Sequence, residues 1–123
     1  MGYRSDVKAV FYTTDKEEFP LLKLFVEENF PKEGLGALEP LESERYFGFL
    51  FEAEDVKWYD GFGDVGMFHA FSNKFRELGR DKKTWHDEFV RIGEDFNDID
   101  VHTSMFSEGL LQVRRSIELE LDI

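Results

Sequence analysis

The sequence predicts an α+β two-layer sandwich in which a four-stranded, mainly antiparallel sheet carries two helices on one face. Three observations lead there. Residues 45–54 and 110–121 alternate apolar and polar side chains with the period of two that marks a strand. Between residues 19 and 78, two stretches repeat apolar side chains at spacings of three and four, the period of a helix with one buried stripe. The chain has 123 residues, 41% of them hydrophobic and fourteen of them phenylalanine, which is apolar mass enough for one core. Residues 1–123 are therefore expected to form a single domain.

Val7 to Thr13 (Val-Lys-Ala-Val-Phe-Tyr-Thr) is β-branched or aromatic on both alternating faces, as in a central strand rather than an edge. Asp15 to Phe30 follows, with Phe19, Leu22, Val26 and Phe30 spaced by three, four and four along one helical stripe. Proline is tolerated at a helix start and not in its middle, so Asp15 to Phe19 should form a loose first turn and the regular helix should run from Pro20. Pro31 to Glu44 holds Gly34, Gly36 and Pro40 among four glutamates and reads as an acidic connecting loop. From Arg45, Phe47, Phe49, Phe51 and Ala53 face one side while Tyr46, Gly48, Leu50, Glu52 and Glu54 face the other, which gives the second strand.

Lys57 to Gly63 is turn-prone, and the helix after it repeats Val65, Phe68, Phe71, Phe75 and Leu78, with Gly79 expected to end it. Thr84 to Phe96 supports two readings. Trp85, Phe89, Ile92 and Phe96 match helical spacing, whereas Phe89-Val90-Arg91-Ile92 has strand composition and is stopped by Gly93. The strand is preferred because it can pair with a final strand, Leu110 to Leu121, across a polar loop at 94–108. In that final strand Leu111, Val113, Ile117, Leu119 and Leu121 share a face, and Arg115 falls on the same face as a charged exception in want of a partner such as Glu52 or Glu54. The resulting order, strand-helix-strand-helix-strand-strand, is related to ferredoxin-like arrangements.

Charge narrows the choice of partner. A formal net charge of -12 disfavours direct contact with nucleic acid, whose phosphates need Lys and Arg, and points to partners with basic surfaces. The imbalance is uneven. Lys74, Arg76, Arg80, Lys82 and Lys83 outnumber Glu77 and Asp81 and form one modest basic spot, while Asp87, Glu88, Glu94, Asp95, Asp98 and Asp100 are set against Arg91. Cysteine is absent, which removes disulfides, thiolate metal sites and cysteine nucleophiles and suits a reducing cytoplasm. No stretch approaches the roughly 20 apolar residues of a membrane span, and the first residues have no signal-peptide pattern, so no membrane association is expected.

The motifs that could carry chemistry are weak. Gly61-Phe62-Gly63-Asp64-Val65-Gly66 matches the dinucleotide fingerprint, but Asp64 would place a negative charge in the phosphate cradle, so a glycine-rich helix entry is preferred. Glu94 to Asp100 offers carboxylates without the glycine and closing glutamate of a calcium loop, and reads as a solvated acidic loop. His69, His86 and His102 lack zinc-site spacing, and no nucleophile elbow is present. No enzymatic activity, metal or cofactor is expected. Trp58 and Tyr59, beside Lys57 and Asp60 in a turn, suit either coverage of one end of the core or an interface anchor.

The segments Met1-Gly2-Tyr3-Arg4-Ser5-Asp6-Val7, Lys57-Trp58-Tyr59-Asp60, Phe89-Val90-Arg91-Ile92-Gly93-Glu94-Asp95 and Arg115-Ser116-Ile117 resemble a group of small bacteriophage and prophage proteins. The resemblance touches both ends and the middle of the chain. It implies viral origin and expression in the cytoplasm of a bacterial host, supports a strand at Phe89 to Ile92, and transfers no catalytic residues.

Small phage proteins without enzyme motifs commonly bind a host protein, and that is the function expected here, with a defence or nucleic-acid-handling factor as the target. The expected contact residues are Trp58, Tyr59, Asp60, Glu94, Asp95, Asp98 and Asp100. A sharper form is mimicry of DNA, with Glu39, Glu42, Glu44, Asp87, Glu88, Glu94, Asp95, Asp98 and Asp100 imitating phosphate charge. The other class is a small-ligand binder or sponge with a pocket between sheet and helices near Trp58, Tyr59 and Arg115.

Overall fold

The fold is taken from a computed structural model that describes residues 3–31, 36–59, 63–95, 97–104 and 110–111. Five strands form one antiparallel sheet: β1 (Ser5–Thr13), β2 (Ala37–Glu42), β3 (Phe47–Val56), β4 (Trp85–Gly93) and β5 (Ile99–Thr103), side by side in the order β2-β3-β1-β4-β5. The helices are α1 (Phe19–Asn29) and α2 (Gly63–Lys82). The α+β class and the antiparallel sheet agree with the sequence reading, and β1 holds the central place that its two apolar faces require.

Register decides which residues meet the helices. Val7, Ala9 and Phe11 of β1 stand opposite Ala53, Phe51 and Phe49 of β3, and opposite Arg91, Phe89 and Asp87 of β4. This row faces α1 and α2. Ala9 is fully buried between Phe51 and Phe89, and its small side chain leaves room for the rings above it. Phe11 lies edge-on to Phe71 at 5.0 Å and to Phe75 at 5.3 Å from α2, while α1 contributes Leu22 and Val26. Aromatic rings thus form most of the contact between the layers, in the tilted and edge-to-face geometries that their quadrupoles favour.

Local signals set the helix ends. Asp15 Oδ1 accepts from the Glu17 amide at 3.0 Å and caps a single 3₁₀ turn at Lys16–Glu18, after which α1 carries Pro20 in its first turn, as expected. Phe30 turns extended ahead of Pro31 and stops the helix. The second helix departs from expectation. It runs past Gly79 to Lys82 and ends where Lys83 adopts φ 61°, its amide donating to the Gly79 carbonyl at 2.9 Å. Gly79 serves packing instead, since a Cβ there would lie 2.9 Å from the Trp85 carbonyl oxygen.

Among the described residues the sheet has five strands, where four were expected. β2 lies inside the predicted acidic loop of Pro31 to Glu44, and β5 inside the predicted polar loop at 94–108. Both are edges, with one side unpaired in the sheet order, and an edge tolerates Pro40, whose missing N–H breaks no central ladder. In consequence β5 takes the place beside β4 that was expected of a strand at 110–121. Beyond Leu111 that stretch, with Arg115 and the motif at 115–117, lies outside the described residues.

Candidate functional site

One end of the sheet collects the start of β1, the end of β3, the end of β4 and the start of β5. Arg91 is its organising cation. On β4 it stands opposite Val7 and Asp100, and its side chain is largely covered. Its guanidinium donates to Asp98 Oδ1 at 2.6 Å, to Asp98 Oδ2 at 3.2 Å, to Asp100 Oδ2 at 2.8 Å and to Ser5 Oγ at 3.0 Å. The hydrogen bonds to Asp98, and after them those to Asp100, hold the Arg91 pKa above its ordinary value against the opposing effect of burial. A planar fork between two carboxylates fits this task better than an ammonium would.

Tyr3 ties the rest together. Its hydroxyl donates to Asp98 Oδ2 at 2.6 Å and accepts from the Asp95 amide at 2.9 Å, while its own amide donates to Tyr59 Oη at 2.6 Å. Gly93 makes the approach feasible, because a Cβ on it would collide with both the Asp98 carboxylate and the Tyr3 hydroxyl. On the other side, the Arg4 guanidinium donates to the Asp55 carbonyl at 3.0 Å and Asp6 Oδ1 accepts from the Asp55 amide at 2.9 Å.

Of the contact residues expected from sequence, Tyr59, Asp95, Asp98 and Asp100 are brought together in this network, and Glu94 lies exposed beside it. Asp60 lies outside the described residues. Trp58 is 6% exposed and packs against Phe68 at 5.2 Å and Phe89 at 6.0 Å, so its indole belongs to the core. Asp87 and Glu88 are also inside. Asp87 is paired with Arg76 of α2 at 2.7 Å, and Glu88 accepts from Tyr12 Oη and from the amides of Leu110 and Leu111. Both lie on β4, which has a neighbour on each side, and this explains why adjacent carboxylates in the sequence are not surface groups.

Sequence reasoning passed over Tyr3 and Ser5 as site residues, because they stand more than 80 positions away from their partners on β4 and β5 (|i−j| of 95 and 86). The signal that was present is Arg91, the lone cation beside the acids at 94–100. Among the described residues no group of three or more His, Asp and Glu is placed to hold a metal ion, and no helix is long and apolar enough to cross a membrane. The helix entry at Gly63 carries Asp64, whose Oδ1 accepts from the Val65 amide, while Gly61 and Phe62 lie outside the described residues. Comparison with known proteins finds no family model, no curated protein and no solved structure that matches the chain.

Proposed function

We propose that the protein is a non-enzymatic binding protein, expressed from a phage or prophage in the cytoplasm of a bacterial host, that engages a host protein through a basic surface on that partner. The contact is the acidic end of the sheet. The observation that carries this reading is the placement of Asp6, Glu54, Asp55, Glu94, Asp95 and Asp100, all exposed at that one end, against Arg4, Lys8, Lys57 and Arg91. Arg91 is itself committed to Asp98 and Asp100. Strand ends fixed by backbone pairing hold such charges at defined spacing, which favours complementary steering of a cationic surface. The described parts of three of the four segments that carry the phage resemblance, 3–7, 57–59 and 89–95, also meet there.

Affinity capture from the native host, repeated over a range of salt, tests the proposal. The expected partner is released as ionic strength rises, because exposed charges are screened over about 8 Å at physiological salt. The triple variant Glu54→Gln, Glu94→Gln, Asp95→Asn, which spares the residues bonded to Arg91, should lose about tenfold or more in affinity for that partner. Capture that ignores both salt and the triple substitution overturns the reading. Imitation of nucleic acid is a narrower form of it, resting on Glu39, Glu44 and the acidic end since Asp87 and Glu88 are inside. Competition by duplex DNA for the captured protein is its signature.

A further inference from the structure

At the opposite end of the sheet several cations gather beside a cavity. β4 runs from Trp85 to Gly93, so roughly 25 Å separates its two ends. At the Trp85 end a cavity of about 490 Å³ opens between the last turns of α2 and the ends of β4 and β5. Its size falls within the range of small-molecule sites, about 300–1,000 Å³.

The helix supplies the charge. Arg76, Arg80 and Lys83 line the cavity from α2 and the residue after it, and this is the basic spot of an otherwise strongly acidic chain. Gly79 lets this part of the helix lie against Trp85, which closes the apolar side. The third wall is the end of β5, where Ser104 is fixed by exchanging bonds with Asp87: its amide donates to the Asp87 carbonyl at 2.9 Å and its hydroxyl accepts from the Asp87 amide at 3.0 Å. Arg76 is held in place by two bonds to the buried Asp87 carboxylate, at 2.7 and 3.4 Å. That pairing offsets its charge, so the cations left for a ligand are Arg80 and Lys83, both exposed, with the exposed Asp81 following Arg80 in the chain.

Cations at a helix C-terminus have a structural service, since they oppose the carbonyl dipole for about 0.3–1 kcal/mol. That service requires only proximity to the helix end. It does not account for their convergence on a cavity with Trp85 and an anchored hydroxyl on its other walls.

We infer that this cavity is a binding site for a small organic phosphate of nucleoside-monophosphate size, its phosphate held by Arg80 and Lys83 and its flat apolar body lodged toward Trp85. Guanidinium and ammonium groups together suit a phosphate monoester, which offers several acceptor oxygens and close to two negative charges at neutral pH. The site is separate from the acidic end, and neither reading depends on the other.

The test uses the whole chain carrying Trp58→Phe, so that indole fluorescence reports Trp85 alone, together with titration calorimetry. The probes are the four ribonucleoside 5′-monophosphates, their nucleosides and inorganic phosphate. At least one monophosphate is expected to bind and to change the Trp85 signal, with its nucleoside and inorganic phosphate each about tenfold weaker or more. Arg80→Ala combined with Lys83→Gly should weaken the monophosphate by about tenfold. Lys83→Gly suits the backbone angle at that position, so the variant stays folded, which a thermal melt verifies. Equal binding of nucleoside and monophosphate overturns the cationic half of the inference, and equal binding of inorganic phosphate overturns the apolar half. No binding of any monophosphate at millimolar concentration overturns the whole.

Discussion

Tyr12 Oη donates to Glu88 Oε2 at 3.1 Å, between two side chains that are 0% and 1% exposed. The two are not direct cross-strand partners, since Tyr12 stands opposite His86 and Glu88 opposite Val10, so the bond runs diagonally across the face of the sheet turned away from the helices. Both oxygens of the carboxylate are in use, Oε2 also accepting from the Leu110 amide at 2.9 Å and Oε1 from the Leu111 amide at 2.8 Å. One charged group therefore fastens the 110–111 segment to a central strand. A glutamine at this position offers one carbonyl oxygen, and its amide nitrogen would confront a donor. Glu88→Gln is expected to lower the unfolding free energy by about 1–3 kcal/mol, and Tyr12→Phe by about 1 kcal/mol. The double variant should lose at least about 0.5 kcal/mol less than the sum, because both changes remove the same bond. Urea denaturation of the four proteins measures this; strict additivity would show that the two groups do not interact.

The end of α2 sets two residues in opposition. Lys83 sits in the left-handed region at φ 61°, a conformation that costs a side-chain-bearing residue about 1 kcal/mol relative to glycine. Lys83→Gly is expected to stabilise the protein by a few tenths to about 1 kcal/mol, even after the loss of a charge that opposes the helix dipole. Gly79→Ala should act the other way by about 1–3 kcal/mol, because its Cβ would press on the Trp85 carbonyl. Thermal melts of the two single variants should therefore shift in opposite directions. Shifts in the same direction would mean that the left-handed angle at Lys83 carries no cost or that a methyl group fits at Gly79.

This reversal illustrates what the sequence could and could not express. Period-two and period-3.6 patterns exposed β1, β3, β4, α1 and α2, since each buries one face or both and so must repeat apolar residues at that period. The edge strands left fainter traces. In β5 the alternation is present, with Ile99, Val101 and Thr103 on one face, but it spans five residues and its other face carries Asp100, which pairs with Arg91 by charge rather than by apolar contact. In β2 Pro40 and the glutamates imitate a loop. The candidate site was half legible. The acids at 94–100 and their single arginine are visible in the chain, whereas Tyr3 enters through a contact across 95 positions that no local pattern encodes.

Tyr3 also gives the acidic end a dependence on pH. The hydrogen bond to Asp98, more than partial burial or the negative charges of Asp98 and Asp95, raises the Tyr3 pKa above its ordinary 10.0, and the amide of Asp95 opposes the shift. Ionisation would remove the donor and place a phenolate against a carboxylate. In the unfolded chain Tyr3 titrates at its ordinary value, so above about pH 10 the folded state keeps a proton that the unfolded state has released. The contribution of Tyr3 is accordingly complete below about pH 10 and disappears as pH climbs through the higher folded value. The native protein should exceed Tyr3→Phe in stability by a constant margin from about pH 7 to pH 9, and that margin should shrink between about pH 10 and pH 12. Urea midpoints for both proteins across this range, with tyrosinate absorbance followed in parallel, provide the measurement. A margin that stays constant to the alkaline limit would mean that Tyr3 titrates normally and that its bond to Asp98 does not hold the acidic end together.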